Sequence, residues 1–215
     1  MTKFLIADDH PLFREALTGA LEKTFDDLAI QESENLEKTL SLLEQDDDLD
    51  LVLLDLHMPG SGDFYGLIRV RDLYPQLPVA VISGSDDAEI VSKVMGFGAL
   101  GFISKASSSK QIAEAIEQIL EGDTYVPEHL IDQIENLSEE DQALASKISE
   151  LTPQQYKVLT FVHQGYLNKQ IAFELNISEA TVKAHMTAIF RKLGVTNRTQ
   201  AVLIAEKLQL ESAAL

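Results

Sequence analysis

Along the first 121 positions, short unbroken apolar runs alternate with segments of helical spacing. Phe4-Leu5-Ile6-Ala7, Leu28-Ala29-Ile30, Leu51-Val52-Leu53-Leu54, Val79-Ala80-Val81-Ile82 and Gly101-Phe102-Ile103 are the runs. Each lacks polar alternation and is short, which predicts strands buried on both faces. The segments between them read as helices. Pro11 opens the first at a position where its missing N–H costs nothing, and Leu12, Phe13, Ala16, Leu17, Ala20 and Leu21 give it an apolar face. Further helices are predicted around Leu36, Leu40 and Leu43, around Leu67 and Val70, from about Asp87 to Met95, and through Ile112, Ala115, Ile116 and Ile119. Strands alternating with helices in this way predict an α/β doubly wound, five-stranded parallel sheet with helices on both faces.

The pattern changes after residue 121. In residues 122–151, Leu130, Ile134 and Leu137 fall at i, i+4, i+7, and Leu144, Ile148 and Leu151 repeat that spacing. Ser138-Glu139-Glu140-Asp141 is an N-cap followed by first-turn acids, so two short helical segments are expected rather than a bare tether. From residue 152 the chain reads as all α. Thr152-Pro153-Gln154-Gln155 is a capping box for a helix carrying Val158, Leu159 and Val162, ended by Gly165. Ile171, Ala172 and Leu175 mark a second helix, and Asn176-Ile177 the turn after it. Ser178 caps a third helix with Val182, Met186, Ile189 and Leu193 facing inward, and Asn197 caps a fourth that ends near Leu208.

At 215 residues the chain accommodates two domains, 1–121 and 152–215, joined by a connector over 122–151. No apolar run approaches membrane-spanning length and the N-terminus is too short for a signal peptide, so a cytoplasmic protein with no membrane partner is expected. The absence of cysteine excludes disulfides and thiolate metal sites. Charge is split: residues 1–127 carry −15, residues 128–151 carry −6, and residues 152–215 carry +3. An acidic body with a mildly basic tail fits a tail that meets nucleic acid, and the acidic part would disfavour DNA phosphates while it lies beside the basic face.

What closes each strand points to chemistry. Asp8 and Asp9 follow the first, Asp55 the third, Ser83 the fourth and Lys105 the fifth. In a sheet of order 2-1-3-4-5 these side chains gather at the carboxyl edge, with the first and third strands adjacent at the switch point. Three carboxylates in one place need a cation, and an all-oxygen donor set favours a hard ion such as magnesium. A phosphoryl group on Asp55 would share its charge among that ion, the Lys105 ammonium and the Ser83 hydroxyl. In the C-terminal part, a tight turn followed by a capped helix whose outer face holds Lys183, Ala184, His185, Thr187, Arg191 and Lys192 suits a helix-turn-helix in a DNA major groove. A four-helix module that binds protein fits the same spacing.

Residues 1–121 resemble the receiver domain of two-component response regulators, a flavodoxin-like fold. The likeness lies in Ala7-Asp8-Asp9-His10, Leu54-Asp55-Leu56-His57-Met58-Pro59-Gly60, Val81-Ile82-Ser83-Gly84 and Gly101-Phe102-Ile103-Ser104-Lys105. Residues 152–204 resemble the LuxR-type helix-turn-helix through Leu-Thr-Pro-Gln-Gln, Asn168-Lys169-Gln170-Ile171-Ala172, Ile177–His185 and Lys192–Ala201. The whole chain is thus similar to the NarL/FixJ class. This resemblance implies that Asp55 accepts a phosphoryl group from a cognate histidine kinase, and that Asp8, Asp9, Asp55 and the His57 backbone carbonyl hold Mg2+. It further implies that Ser83 and Phe102 form a switch pair, the aromatic ring turning inward, and that a homodimer binds DNA. Lys183, Ala184 and Thr187 would face base edges, while Lys169, Thr181, Lys192 and Arg198 would neutralise phosphates, with Ser178 at the recognition helix's start. Two departures stand out. Gly62-Asp63, then Phe64-Tyr65-Gly66, replaces the usual Asp-Gly, which suggests an extra carboxylate near the pocket mouth. Tyr156 stands where Glu is usual, and Thr187 where some members have Lys, both bearing on DNA contact. Two other functions fit the residues: a phosphatase with an Asp nucleophile, though His57 occupies the place of its second acid, and a receiver that binds protein irrespective of phosphate.

Overall fold

In the computed structural model, which describes residues 1–62, 64–134, 136 and 138–207, Leu51–Asp55 forms the central strand β3 with all five residues buried. Its unbroken apolar run leaves no face for water, so it needs neighbours on both edges and helices on both sides. Strands β1 (Thr2–Ala7) and β4 (Val79–Ser83) flank it, and β2 (Leu28–Ser33) and β5 (Gly101–Ser104) complete the sheet. The order is β2-β1-β3-β4-β5, with every pairing parallel. β2 runs three residues past the apolar stretch Leu28-Ala29-Ile30 because it is an edge strand whose residues are mostly half-buried, so Gln31 and Glu32 are tolerated.

The pleat divides the side chains between two cores. Phe4, Ile6, Leu51, Leu53, Ala80, Ile82 and Ile103 pack against α1 (Pro11–Leu21) and α5 (Ser109–Leu120). Leu5, Ala7, Val52, Leu54, Val79, Val81 and Phe102 pack on the opposite face, in one core with residues of α2 (Leu36–Gln45), α3 (Tyr65–Leu73) and α4 (Ala88–Gly96). Full burial of side chains of this size contributes about 1.5–3 kcal/mol each. Two expected apolar positions are displaced: Leu12 is 81% exposed, and Ala16 is exposed as well. The inward stripe of α1 is narrower than its composition, with Leu17 and Leu21 buried and Phe13 packed alongside.

The connector is structured. Tyr125 bridges to Gly101 on the free edge of β5, its carbonyl accepting from the Phe102 amide at 2.9 Å. Glu128–Gln133 is a 3-10 helix with Leu130 buried, tighter than the α-helical turn expected there; Leu137 lies outside the described residues. Helix α6 (Glu139–Ser149) starts at Ser138, whose hydroxyl accepts from the Asp141 amide, and buries Leu144 and Ile148 between α3 and α9 (Glu179–Leu193). The remaining helices are α7 (Pro153–His163), with its capping box at Thr152 and Gln155, α8 (Asn168–Glu174) and α10 (Arg198–Lys207). Asn176 takes a positive φ of 51° in the turn between α8 and α9. Among the described residues, no helix is long and apolar enough to cross a membrane.

Candidate functional site

Register fixes the pocket. Ala7 pairs with Leu54, so Asp8 and Asp55 leave adjacent strands side by side, and Ser83 pairs with Ser104, which sets Lys105 just beyond. The Lys105 amide donates to the Ser83 carbonyl at 2.7 Å, tying the end of β5 to the end of β4. From there the Lys105 Nζ lies 2.7 Å from Asp8 Oδ2 and 2.9 Å from Asp55 Oδ2. Asp8 is 2% exposed and Asp55 1%, so two nearly dehydrated carboxylates share one ammonium. Burial alone would lower the pKa of Lys105, but hydrogen bonds and charge from Asp8 and Asp55 outweigh it, and the net shift is upward. Such a lysine is fully charged at neutral pH.

Neighbouring groups hold the acids in place. The Arg14 Nη1 donates to the Asp8 carbonyl at 2.6 Å while its Nε pairs with Glu32 at 2.8 Å, bracing the end of β1 from α1. The His57 amide donates to Asp55 Oδ1 at 3.3 Å, and the exposed His10 ring sits 2.7 Å from Asp9 Oδ1. Ligand atoms of Asp8, Asp9, His10 and Asp55 all lie within 4.8 Å of one another. Asp8 Oδ2 and Asp9 Oδ1 are buried, and among the described residues their partners are the Lys105 ammonium and the His10 ring, each at 2.7 Å. Three carboxylates gathered against one ammonium fit a hard divalent cation. Ser83 is fully buried, its Oγ accepting from the Ser85 amide at 3.2 Å, and Phe102 is fully buried with its ring inward, in the core beside its strand partner Val81. Asp63, with its expected carboxylate at the pocket mouth, lies outside the described residues.

The second candidate surface is the outer face of α9. Ser178 caps it, accepting from the Thr181 amide at 3.0 Å, and Thr181, Lys183, Ala184 and Thr187 are exposed, as is Lys169 on α8. The acidic domain does not cover this face. Lys192 and Arg198 are placed differently from the phosphate-facing position expected of them. The Lys192 Nζ donates to the Glu150 carbonyl and to Gln155 Oε1, each at 2.7 Å. Arg198 donates to the carbonyls of Val162 and Tyr166 and to Asn168 Oδ1. Burial lowers the pKa of its guanidinium from the ordinary value. Both cations satisfy carbonyls at helix ends, a demand every helix terminus makes. Tyr156 is corrected outright: it is 3% exposed and faces the first domain, not DNA.

Contacts that sequence reasoning passed over hold the end of the linker and the start of α7 against the receiver. Tyr65 and Arg69 of α3 donate to the Leu151 and Ser149 carbonyls, at 2.8 and 2.7 Å, and Tyr65 stacks on Tyr156. The two departures around residues 62–66 and at 156 were the available signal.

Comparison with known proteins agrees with this geometry. The family described as "Response regulator receiver domain" matches residues 4–117, and that described as "Bacterial regulatory proteins, luxR family" matches residues 149–205. A glycerol metabolism activator of Pseudomonas putida is 44% identical, covering 95% of this chain and 95% of its own. The nitrate/nitrite response regulator protein NarL of Escherichia coli K12 is 30% identical, covering 93% and 92%. Among solved structures, RcsB from Salmonella enterica serovar Typhimurium, bound to a promoter in the presence of a phosphomimetic, is 25% identical with a TM-score of 0.57, over 96% of this chain and 98% of that one.

Proposed function

Since the chain belongs to the response regulators that join a receiver domain to a LuxR-type DNA-binding domain, which regulate transcription and are not enzymes, we propose that Asp55 is its phosphoacceptor and that α9 reads DNA. We place the receiver at 1–121, the linker at 122–151 and the DNA-binding domain at 152–215. The observation that carries the reading is the convergence of Asp8, Asp9, Asp55 and Lys105 at one sheet edge.

Magnesium fits the pocket and would be held by Asp8, Asp9, Asp55 and the His57 backbone carbonyl. When bound, it neutralises phosphoryl oxygens. Asp55 offers a carboxylate oxygen to the phosphorus of a histidine kinase's phosphohistidine or of a small phosphodonor, and as the new O–P bond forms the bond from phosphorus to the imidazole nitrogen, or to the donor's leaving atom, breaks and the departing group keeps its electron pair. Lys105, already bonded to Asp55, takes up charge on the transferred group, and the Ser83 hydroxyl donates to it. Phe102, beneath, forms with Ser83 the switch pair.

On DNA, Lys183, Ala184 and Thr187 would face base edges and Lys169 and Thr181 phosphates, while Ser178 fixes the helix N-terminus. Lys192 and Arg198 would reach phosphates only by exchanging their carbonyl partners. RcsB has been captured as dimers on DNA, and a homodimer on two half-sites about one helical turn apart is the arrangement proposed here. The protein is placed in the cytoplasm, beside its kinase's phosphodonor site and the chromosome.

The test is a DNA titration with and without beryllofluoride and magnesium, with sedimentation of each sample. Tighter binding and dimer formation with the mimic support the reading; identical affinity and mass in both samples refute it. Lys183→Ala should lose about 1–3 kcal/mol of operator affinity and relax base preference at one position. Lys169→Ala should weaken all sequences alike and reduce the salt slope by about 1.

A further inference from the structure

His10 is the N-cap of α1, with the extended backbone that position takes, φ −91° and ψ 103°. The side chains favoured there are Ser, Thr, Asp and Asn, whose oxygen accepts from an amide of the first turn. Histidine is not among them, and among the described residues the His10 ring makes no capping bond. The ring turns back toward the pocket instead. Its Nδ1 lies 2.7 Å from Asp9 Oδ1 and 3.2 Å from Asp8 Oδ1. The His10 amide donates to that same Asp8 oxygen at 2.8 Å, and Pro11 follows with its fixed φ, so the backbone that carries the ring is held on both sides. The ring is 65% exposed, which leaves it open to an ion arriving from solvent.

The acids divide their oxygens between two sides. Lys105 takes the Oδ2 atoms of Asp8 and Asp55, at 2.7 and 2.9 Å. The Oδ1 atoms of Asp8 and Asp9 face the imidazole, and Asp55 Oδ1 accepts from the His57 amide at 3.3 Å, beyond the usual N–H···O range. A cation opposite Lys105 would therefore meet Oδ1 atoms and the ring nitrogen together. Ligand atoms of all four residues lie within 4.8 Å of one another. With metal–ligand bonds of about 2.0–2.1 Å, adjacent donors stand about 2.9 Å apart in an octahedral shell and about 3.3 Å in a tetrahedral one. His10 Nδ1 thus stands at the spacing of a neighbouring ligand to both acids. An imidazole that simply pairs with two carboxylates has similar distances; the difference is whether Nδ1 holds a hydrogen or gives its lone pair to a metal.

We propose that His10 Nδ1 is a further metal ligand of this pocket, which turns the all-oxygen set expected from the sequence into a mixed nitrogen–oxygen site that prefers zinc-type ions to magnesium. The proposal rests on the reading of the pocket as a metal site. Magnesium is hard, dehydrates reluctantly and keeps oxygen donors and waters, so with it the ring stays hydrogen-bonded to Asp9. Imidazole suits the late first-row ions, whose affinities also run higher. Asp8, Asp9, Asp55 and His10 supply the four donors of a closed zinc site, with the ring's proton on its other nitrogen. A zinc ion held by all four has no open position for a phosphoryl oxygen, whereas magnesium retains positions filled by water. Such an ion would compete with magnesium and leave Asp55 unable to accept its phosphoryl group.

The test uses the full-length protein at one fixed pH. The chain has five histidines and no cysteine, so long-range proton–nitrogen correlation spectra report each imidazole, and the signals lost in His10→Gln identify that residue. In wild type, Zn2+ should move the His10 Nδ1 resonance to the shift of a metal-bound imidazole nitrogen, while Mg2+ should not. By calorimetry, the ratio of Zn2+ to Mg2+ affinity should fall in His10→Gln by at least the roughly 10-fold that loss of even an outer-shell partner costs. A ratio is insensitive to a general loosening of the pocket, and thermal melting shows that the variant is folded. The proposal is overturned if Nδ1 keeps the shift of an unligated nitrogen in saturating Zn2+, or if the ratio is the same in both proteins. A wild type that binds neither ion overturns the metal reading of the pocket, and this ligand with it.

Discussion

Asp55→Ala is expected to take up no phosphoryl group from a small phosphodonor and to show no gain in DNA affinity or mass when the donor is added. Asp55 is the acid that closes the central strand, 1% exposed, with one oxygen on Lys105 and the other on the His57 amide. Asp8 is equally buried, but its Oδ1 already accepts from the His10 amide at 2.8 Å and its Oδ2 faces Lys105. Its amide bond is shorter than the 3.3 Å bond on Asp55, so its oxygens are the more firmly held and it should not substitute. Phosphate-affinity gels of wild type and variant, run beside a DNA titration, check both halves. Phosphoryl incorporation in the variant, or a surviving donor-dependent gain in DNA affinity, would place the acceptor elsewhere. The same change removes one of three like charges, so the variant should unfold no earlier than wild type.

Lys105→Met should carry the largest stability effect in the pocket. Two carboxylates that are nearly fully buried would lose the ammonium they share, and removing one partner of a buried pair costs about 3–5 kcal/mol. The low end applies here, since the Lys105 side chain is 18% exposed. Magnesium should recover much of the loss in the variant and less in wild type. The pH dependence has a definite sign. The folded pKa of Lys105 is raised above its ordinary value of 10.5, so the stabilisation is complete below about 10.5 and is lost as pH climbs through the folded value. Urea melts should therefore show a constant gap between wild type and variant from pH 7 to 9 that closes only in strong alkali. A gap that closes near neutrality would mean that Lys105 does not supply the charge.

The pocket was readable because parallel strands fix where their ends lie. Once Phe4–Ala7 and Leu51–Leu54 are read as neighbours, Asp8, Asp9 and Asp55 must meet, and Lys105 follows from the run before it. Helix caps at Ser138, Thr152, Ser178 and Asn197 were readable for the same local reason, and each accepts the amide its spacing implies. Contacts between elements were not. Tyr65 and Tyr156 are 91 positions apart, and no periodicity links them. At Lys192 and Arg198 the family resemblance implies phosphate ligands, while in the fold both cations are engaged by carbonyls, a long-range pairing that no local pattern announces. Leu12 misled through composition, since it lies on the far side of α1 from the buried Leu17 and Leu21, while Phe13 in the same turn packs on the core.

The recognition helix stands uncovered while the two domains are clasped together, and this bears on how the protein finds its operator. With α9 reading DNA as proposed, a resting molecule would be able to meet the duplex through Lys183 and Lys169 and travel along it one copy at a time. Its grip on a lone half-site should be the same whether or not the receiver carries its mark. On the proposed dimer, the signal would change whether two travellers meeting at adjacent half-sites can settle side by side, and the response would then depend on the square of the cellular dose.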